Sequence, residues 1–202
     1  MTNDTATPAA VRRLDTPDAH ALADLAAIFE DLQTVLRCCE RLVSELASEP
    51  GGPDDVTLEA FWTMAVLSYT RCFSSRASGT GLTPDDVTET GINGDVLGWH
   101  KVLMQLRDHY ADPAVNPREG FSVGVSQDDE GRANGIAVTS ASPPRVDDLT
   151  VRQTGAITYG LVRIVDQRIA ARQEVVFNAL TPMTKAELDK LPLVLVEVST
   201  DA

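Results

Sequence analysis

The chain has few of the residues from which most active sites are built. Its 202 residues include only three cysteines and three histidines, and aromatic side chains make up 5%. An odd number of cysteines does not form a disulfide framework, and no Cys or His spacing resembles a zinc site. Neither a nucleotide-binding glycine loop nor a Gly-x-Ser-x-Gly nucleophile motif occurs. We therefore expect no metal and no cofactor, and we interpret Cys38, Cys39 and Cys72 as small core residues.

The chain also lacks a long apolar run and a surplus of basic residues. No stretch approaches the roughly 18–20 apolar residues of a membrane span, and the N-terminus has no signal-peptide pattern. Seventeen basic residues stand against 30 acidic ones, which gives a net charge of −13. Because an acidic surface repels phosphate groups, nucleic-acid binding is disfavoured. These features predict a cytoplasmic protein that makes no membrane contact.

Apolar residues recur at helical spacing through most of the chain. Thr16 and Pro17 form a helix start, and the helix that follows ends before the breaker at 50–53. Further long helices are predicted at about 57–73, 95–111 and 146–179, and short ones begin after Thr83 and Thr184. The first helix carries a heptad stripe wide enough to contact more than one helix. The stripe consists of Leu22, Leu25, Phe29, Leu32, Leu36, Cys39, Val43 and Leu46, with Ile28, Val35 and Leu42 along one flank.

Two segments alternate between apolar and other residues, as strands do. Residues 120–140 predict a β-hairpin, inserted at about 120–141, with a polar turn at 127–134. Residues 193–198 (LVLVEV) predict a C-terminal strand beside the hairpin, and residues 1–15 predict a flexible tail. The expected fold is mainly α: a single domain at 16–202, with a bundle of four long helices and a small antiparallel β appendage. An isolated hairpin is marginally stable, so we expect it to pack on the bundle or on a partner.

The fourth long helix is locally basic, whereas the first three are acidic. Two interpretations of this basic face stay open. The arginines could match the acidic helices within the chain or across a dimer, or they could bind an anion, a nucleic acid or an acidic protein partner. The residues concerned are Arg152, Arg163, Arg168 and Arg172.

Two segments together resemble a known family. The second helix ends in YTRCFSSR at 69–76, and the third long helix reads LGWHKVLMQLRDHYADPAVNP at 97–117. They resemble HEPN-like helical proteins of prokaryotes and phages, in which Tyr-x-Arg-x-Phe precedes His-x6-Arg-Asp and a downstream Ala-His. The resemblance implies a helix bundle that is commonly dimeric. In active members it implies a metal-independent ribonuclease, in which an Arg and the downstream His converge across the dimer and assist attack by the ribose 2′-hydroxyl.

The essential histidine of that family has no counterpart here. Its place holds Pro113, which offers no imidazole for acid–base chemistry near neutral pH. His109 lies about 200° from Arg107 around a regular helix, so the two could act together only at an unwound helix end. We therefore expect no ribonuclease activity. The residues that do match the family are interpreted as a buried polar network: Tyr69, Arg71, His100, Arg107 and Asp108.

These observations favour a non-catalytic homodimeric protein that acts through protein contacts, in prokaryotic or phage defence or stress regulation. The dimer is expected through the helices, and a protein partner at the basic fourth helix. One alternative is a metal-independent ribonuclease that uses Arg107 and His109. A second alternative is a module that binds a small ligand or effector on the aromatic side of the second helix.

Overall fold

The computed structural model describes residues 10–47, 54–112, 120–140 and 145–195, and this part of the chain is mainly helical. None of its helices is long and apolar enough to cross a membrane. The helices are α1 (Pro17–Ala47), α2 (Asp55–Cys72), α3 (Pro84–Glu89), α4 (Val96–Ala111), α5 (Asp148–Leu180) and α6 (Lys185–Leu188). The strands are β1 (Ala10–Arg12), β2 (Phe121–Gln127), β3 (Ala133–Ser140) and β4 (Leu193–Leu195).

The helices begin where side chains satisfy the free amides of their first turns. The Thr16 hydroxyl accepts from the Ala19 amide at 3.2 Å, and the Asp147 carboxylate accepts from the Thr150 amide at 2.7 Å. Thr184 forms a capping box at the start of α6. Because caps depend on residues a few positions apart, these starts agree closely with the predicted ones.

Helix α1 forms the centre of the core, since it packs against both α2 and α5. Its most deeply buried residues include Ile28, Val35 and Leu42, which the sequence pattern placed on the flank of the stripe. Leu36, inside the predicted stripe, is only partly buried. The line of deepest burial is shifted from the predicted stripe because α2 and α5 contact α1 from two sides. The α1 residues between these two helices lose the most solvent-accessible surface.

The N-terminal strand and the C-terminal strand form one small sheet. β1 pairs with β4 in antiparallel register, with Val11 opposite Val194. The predicted tail therefore contains a strand, and β4 does not join the hairpin as predicted. The pairing follows from α5, which runs antiparallel to α1 and continues past its start: Arg172 of α5 bonds Asp18 of α1. Residues 1–9 and 196–198 lie outside the described part.

The β2–β3 hairpin has the predicted alternation and position. Val123 lies opposite Val138 and Val125 opposite Ile136, and a register shift follows Ser126. Every residue of both strands is exposed. Within the described residues the hairpin is therefore covered neither by the helices nor by the other sheet.

Candidate functional site

A hydrogen bond between Tyr69 and His100 links the end of α2 to α4. The Tyr69 hydroxyl oxygen lies 3.0 Å from Nδ1 of His100, and both side chains are buried. The ring of Phe73 completes the cluster, with its centroid 4.4 Å from that of the imidazole and 5.0 Å from that of Tyr69. The structure thus brings together two of the five residues predicted as one polar network.

Burial determines the protonation of this pair. It lowers the pKa of His100, with a smaller contribution from the charge of Lys101, and it raises the pKa of Tyr69. At neutral pH the imidazole is uncharged and the phenol is protonated. The phenol donates to Nδ1 when the imidazole proton resides on Nε2. Each group satisfies the other, and a histidine that is 6% exposed is not open to a substrate.

The other matching residues lie outside this buried pair. The side chain of Arg71 is 67% exposed and lies 3.4 Å from Asp31 of α1. Arg71 follows Tyr69 by two positions, which turns it about 200° away around the helix. Arg107 forms an ion pair with its neighbour Asp108 at 2.7 Å. It is seven residues beyond His100, or about 10 Å along the helix, so it does not reach the buried pair.

Arg107 and His109 do not converge within one chain. Helix α4 is regular through Ala111, and the Asp112 amide still donates to the Asp108 carbonyl at 3.0 Å. Residues two positions apart on a regular helix point to different sides. The unwound helix end that would bring the two together within one chain is therefore absent among the described residues, and Pro113 lies beyond them.

Three of the four arginines on α5 form ion pairs within the chain. Arg168 bonds the buried Asp86 of α3, Arg172 bonds Asp18 of α1, and Arg152 bonds Asp148 one turn earlier. This favours the interpretation in which the basic helix matches acidic groups of its own chain. Arg163 has no ion-pair partner within the described ranges, and it lines a hollow of about 220 Å³ beside Thr90.

The contact between α3 and α5 depends on an ionised Asp86. Burial alone would raise the pKa of Asp86, but hydrogen bonds from Arg168 and Thr83 outweigh it and lower the pKa. The Thr83 amide donates to this carboxylate at 2.7 Å. Asp86 therefore caps α3 and holds it against α5 at the same time.

An apolar groove of about 550 Å³ separates α4 from α5. The indole nitrogen of Trp99 donates to the Thr154 hydroxyl at 3.1 Å, which fixes the ring across the two helices. The predicted ligand surface was instead the aromatic side of α2. Trp62 and Tyr69 on that side are buried in the core, whereas Phe61 and Phe73 are partly buried. The residues that line the groove include Ile92, Val96, Trp99, Val102 and Ile157.

The hairpin presents an uncovered apolar face. Five residues that alternate along β2 and β3 point to this face, and each is between 57% and 73% exposed. The opposite face carries small residues such as Ser122 and Thr139, and neither strand contains a charged residue. The sequence pattern predicts the hairpin at this position, and it predicts that the hairpin packs on the bundle or on a partner. The residues of this apolar hairpin face are Phe121, Val123, Val125, Ile136 and Val138.

No protein-family model, curated protein or solved structure matches the chain. Over the described ranges, no three His, Cys, Asp or Glu side chains are grouped so that they could hold a metal ion. Among the described residues, the groove and the apolar hairpin face are features of the surface that can receive another molecule.

Proposed function

We propose that the protein is non-catalytic and acts by forming a homodimer and by contacting other proteins. The role suggested by the HEPN-like resemblance is prokaryotic or phage defence or stress regulation. The observation that carries this proposal is the uncovered apolar face of the hairpin. A contiguous exposed apolar patch on a folded protein is typical of an interaction site. Among the arginines of α5, Arg163 has no ion-pair partner in the part of the chain that the structure describes, so it could meet an acidic partner.

The placement of the histidines supports the absence of catalysis. His100 is buried and uncharged, and its Nδ1 is bonded to Tyr69. His109 points away from Arg107 on a regular helix. A ribonuclease of the kind that the resemblance implies needs an arginine and a histidine that act on the same ribose.

Incubation with RNA tests this part of the proposal. We expect the purified protein to leave structured and single-stranded RNA intact in the presence of EDTA, and the Arg107→Ala variant to behave identically. Cleavage that is lost in both Arg107→Ala and His109→Ala would overturn the proposal and assign a ribonuclease. Arg41→Ala serves as the matched control, because it removes the same charge from an exposed position on another helix.

Sedimentation velocity tests the homodimer. We expect a dimer at micromolar concentration that dissociates on dilution. A protein that remains a monomer throughout the micromolar range would contradict the homodimer.

A second candidate function is the binding of a small apolar ligand, which the groove between α4 and α5 favours. Its volume lies in the range of about 300–1,000 Å³ typical of such sites. A thermal-shift screen should then find compounds that raise the melting temperature. Ala156→Trp fills the groove and should abolish the shift, whereas Ala171→Trp, also on α5, should preserve it. A shift that survives in Ala156→Trp would exclude the groove as the binding site.

A further inference from the structure

The most deeply buried residues of α1 are not available to a dimer. The heptad stripe of α1, from which a helix-mediated dimer was predicted, is turned into the core between α2 and α5. Leu32, Val35 and Leu42 are fully buried within the chain. A second copy therefore cannot contact these three residues without unfolding the first.

Five exposed apolar residues are neighbours on one face of the hairpin. In a two-stranded sheet, each strand has a partner on one side only, and such a sheet is marginally stable by itself. The apolar hairpin face has no cover within the described residues. Covering it would stabilise both the hairpin and the complex.

For the homodimer proposed above, charge favours the hairpin as the contact surface. Two copies that each carry −13 repel one another over most of their surfaces. The sequences of β2 (FSVGVSQ) and β3 (ANGIAVTS) contain no charged residue, and the acidic residues of the hairpin lie in its turn at 128–130. Two hairpin faces can therefore approach without placing like charges opposite each other.

We propose that two copies dimerise by packing their apolar hairpin faces against each other around a twofold axis. This inference rests on the homodimer proposed above and names the surface that forms it. The two sheets would lie about 10 Å apart, as packed sheets do. Phe121, Val123 and Val138 of one copy would contact the same face of the other, which makes the interface self-complementary.

The area available fits a weak, reversible dimer. Full burial of one aliphatic or aromatic side chain removes about 60–120 Å² from water. Five such residues on each copy correspond to roughly 600–1,200 Å² for the pair. Specific interfaces begin at about 1,000–1,200 Å², so this contact lies at the lower end of that class. We expect dissociation in the micromolar range.

Matched substitutions on the two faces of one strand test the inference. Val123→Glu places a charge on the apolar hairpin face, and Ser122→Glu places the same charge on the opposite face of the same strand. We expect sedimentation velocity to show at least tenfold weaker dimerisation for Val123→Glu and wild-type dimerisation for Ser122→Glu. Val123→Thr keeps the β-branched shape that favours strands and should weaken the dimer without loss of the hairpin.

Salt provides a second readout. Added NaCl screens the repulsion between two acidic copies while the apolar contact persists, so dimerisation should strengthen as NaCl rises. A dimer held by arginines of α5 against acidic helices would weaken instead, and that result would overturn the inference.

The remaining outcomes are also distinct. If Val123→Glu dimerises like the wild type, the hairpin face is not the interface, although the proposed homodimer stands. If Ser122→Glu weakens the dimer as much as Val123→Glu, packing through the apolar face is refuted. A wild-type protein that is monomeric at every concentration and salt level refutes both the inference and the homodimer.

Discussion

His100 acts as a structural histidine because burial disfavours its charged form. It is enclosed by Phe73 and Tyr69, and its Nδ1 is bonded to the Tyr69 hydroxyl. Burial lowers its pKa, so the neutral imidazole is the form that the fold stabilises. A histidine in this setting contributes to the packing of α2 against α4 rather than to proton transfer.

This pair predicts how stability changes with pH. Because the folded state lowers the pKa of His100 below its ordinary value of 6.5, the unfolded chain binds the proton first as pH falls. The free energy of unfolding should therefore decrease as pH drops from about 7.5 to about 5.5. Urea unfolding of His100→Gln should show a smaller decrease over the same interval, despite lower stability at the higher pH.

Tyr69→Phe is the control for that measurement. It removes the hydrogen bond but keeps the buried histidine, so it should retain the decrease in stability toward lower pH. An identical pH dependence in the wild type and in His100→Gln would contradict the role assigned to this histidine.

Two of the cysteines are inert for a similar reason. Burial raises the pKa of Cys39 and of Cys72 to about 12 in each case. Since the thiolate is the reactive form, neither thiol is a nucleophile at neutral pH. This agrees with the interpretation of the cysteines as core residues.

At the scale of elements, the position of α1 between α2 and α5 determines which of its residues are most deeply buried. Leu32 belongs to the fully buried line, whereas Leu36 is one helical turn away and only partly buried. Both residues belong to the predicted stripe, and the sequence pattern gives no reason to rank them. Their different burial is a property of the packed helices.

The matching prediction compares two leucine-to-alanine substitutions in α1. Leu32→Ala should reduce the free energy of unfolding by about 2–5 kcal/mol, since it leaves a cavity in a filled core. Leu36→Ala should cost less than about 1.5 kcal/mol, because this side chain keeps part of its contact with water. Chemical denaturation of both variants tests this ranking, and equal losses would contradict the packing of α1 described above.

At the scale of the whole molecule, the hairpin is structurally separate from the helical core. None of its strand residues belongs to the buried cluster, which is formed by α1, α2, α4 and α5 together with residues near α3. The acidic charge lies mostly on the helices, and some of it is neutralised there by Arg168 and Arg172. The described part of the molecule thus combines a charged helical core with a hairpin whose two strands carry no charged residue.

This separation predicts that the hairpin can be deleted while the helical core stays folded. Phe121 and Ser140 are paired, so a short Gly-Ser linker can replace residues 122–139. The shortened protein should retain its helical circular dichroism, and at dilute, monomeric concentration its melting temperature should change by no more than a few degrees, about 1 kcal/mol in stability. Loss of cooperative unfolding would show that the hairpin belongs to the core.

The locations of the helices and turns follow from the sequence because their causes are local. The Thr16 and Thr184 hydroxyls accept from amides three residues away, and Asp86 accepts from the Thr83 amide. The apolar periods of α1, α4 and α5 span neighbouring turns. The β2–β3 hairpin is equally local, since its strands are joined by a short turn. The helical spacing of apolar residues correctly predicted a mainly helical protein.

Contacts between distant residues were decided by tertiary structure. Helix α5 had to run past the start of α1 before β4 could pair with β1, and nothing near 193–195 in the chain indicates that partner. Likewise, Tyr69 and His100 form a hydrogen bond. Arg71 points to another side of α2 and Arg107 lies farther along α4, so neither reaches this pair. A sequence period specifies which residues are apolar, but burial depends on which other elements arrive to cover them. For this reason the sequence predicts that one face of the hairpin is apolar. Only the tertiary structure shows that no other described residues cover this face.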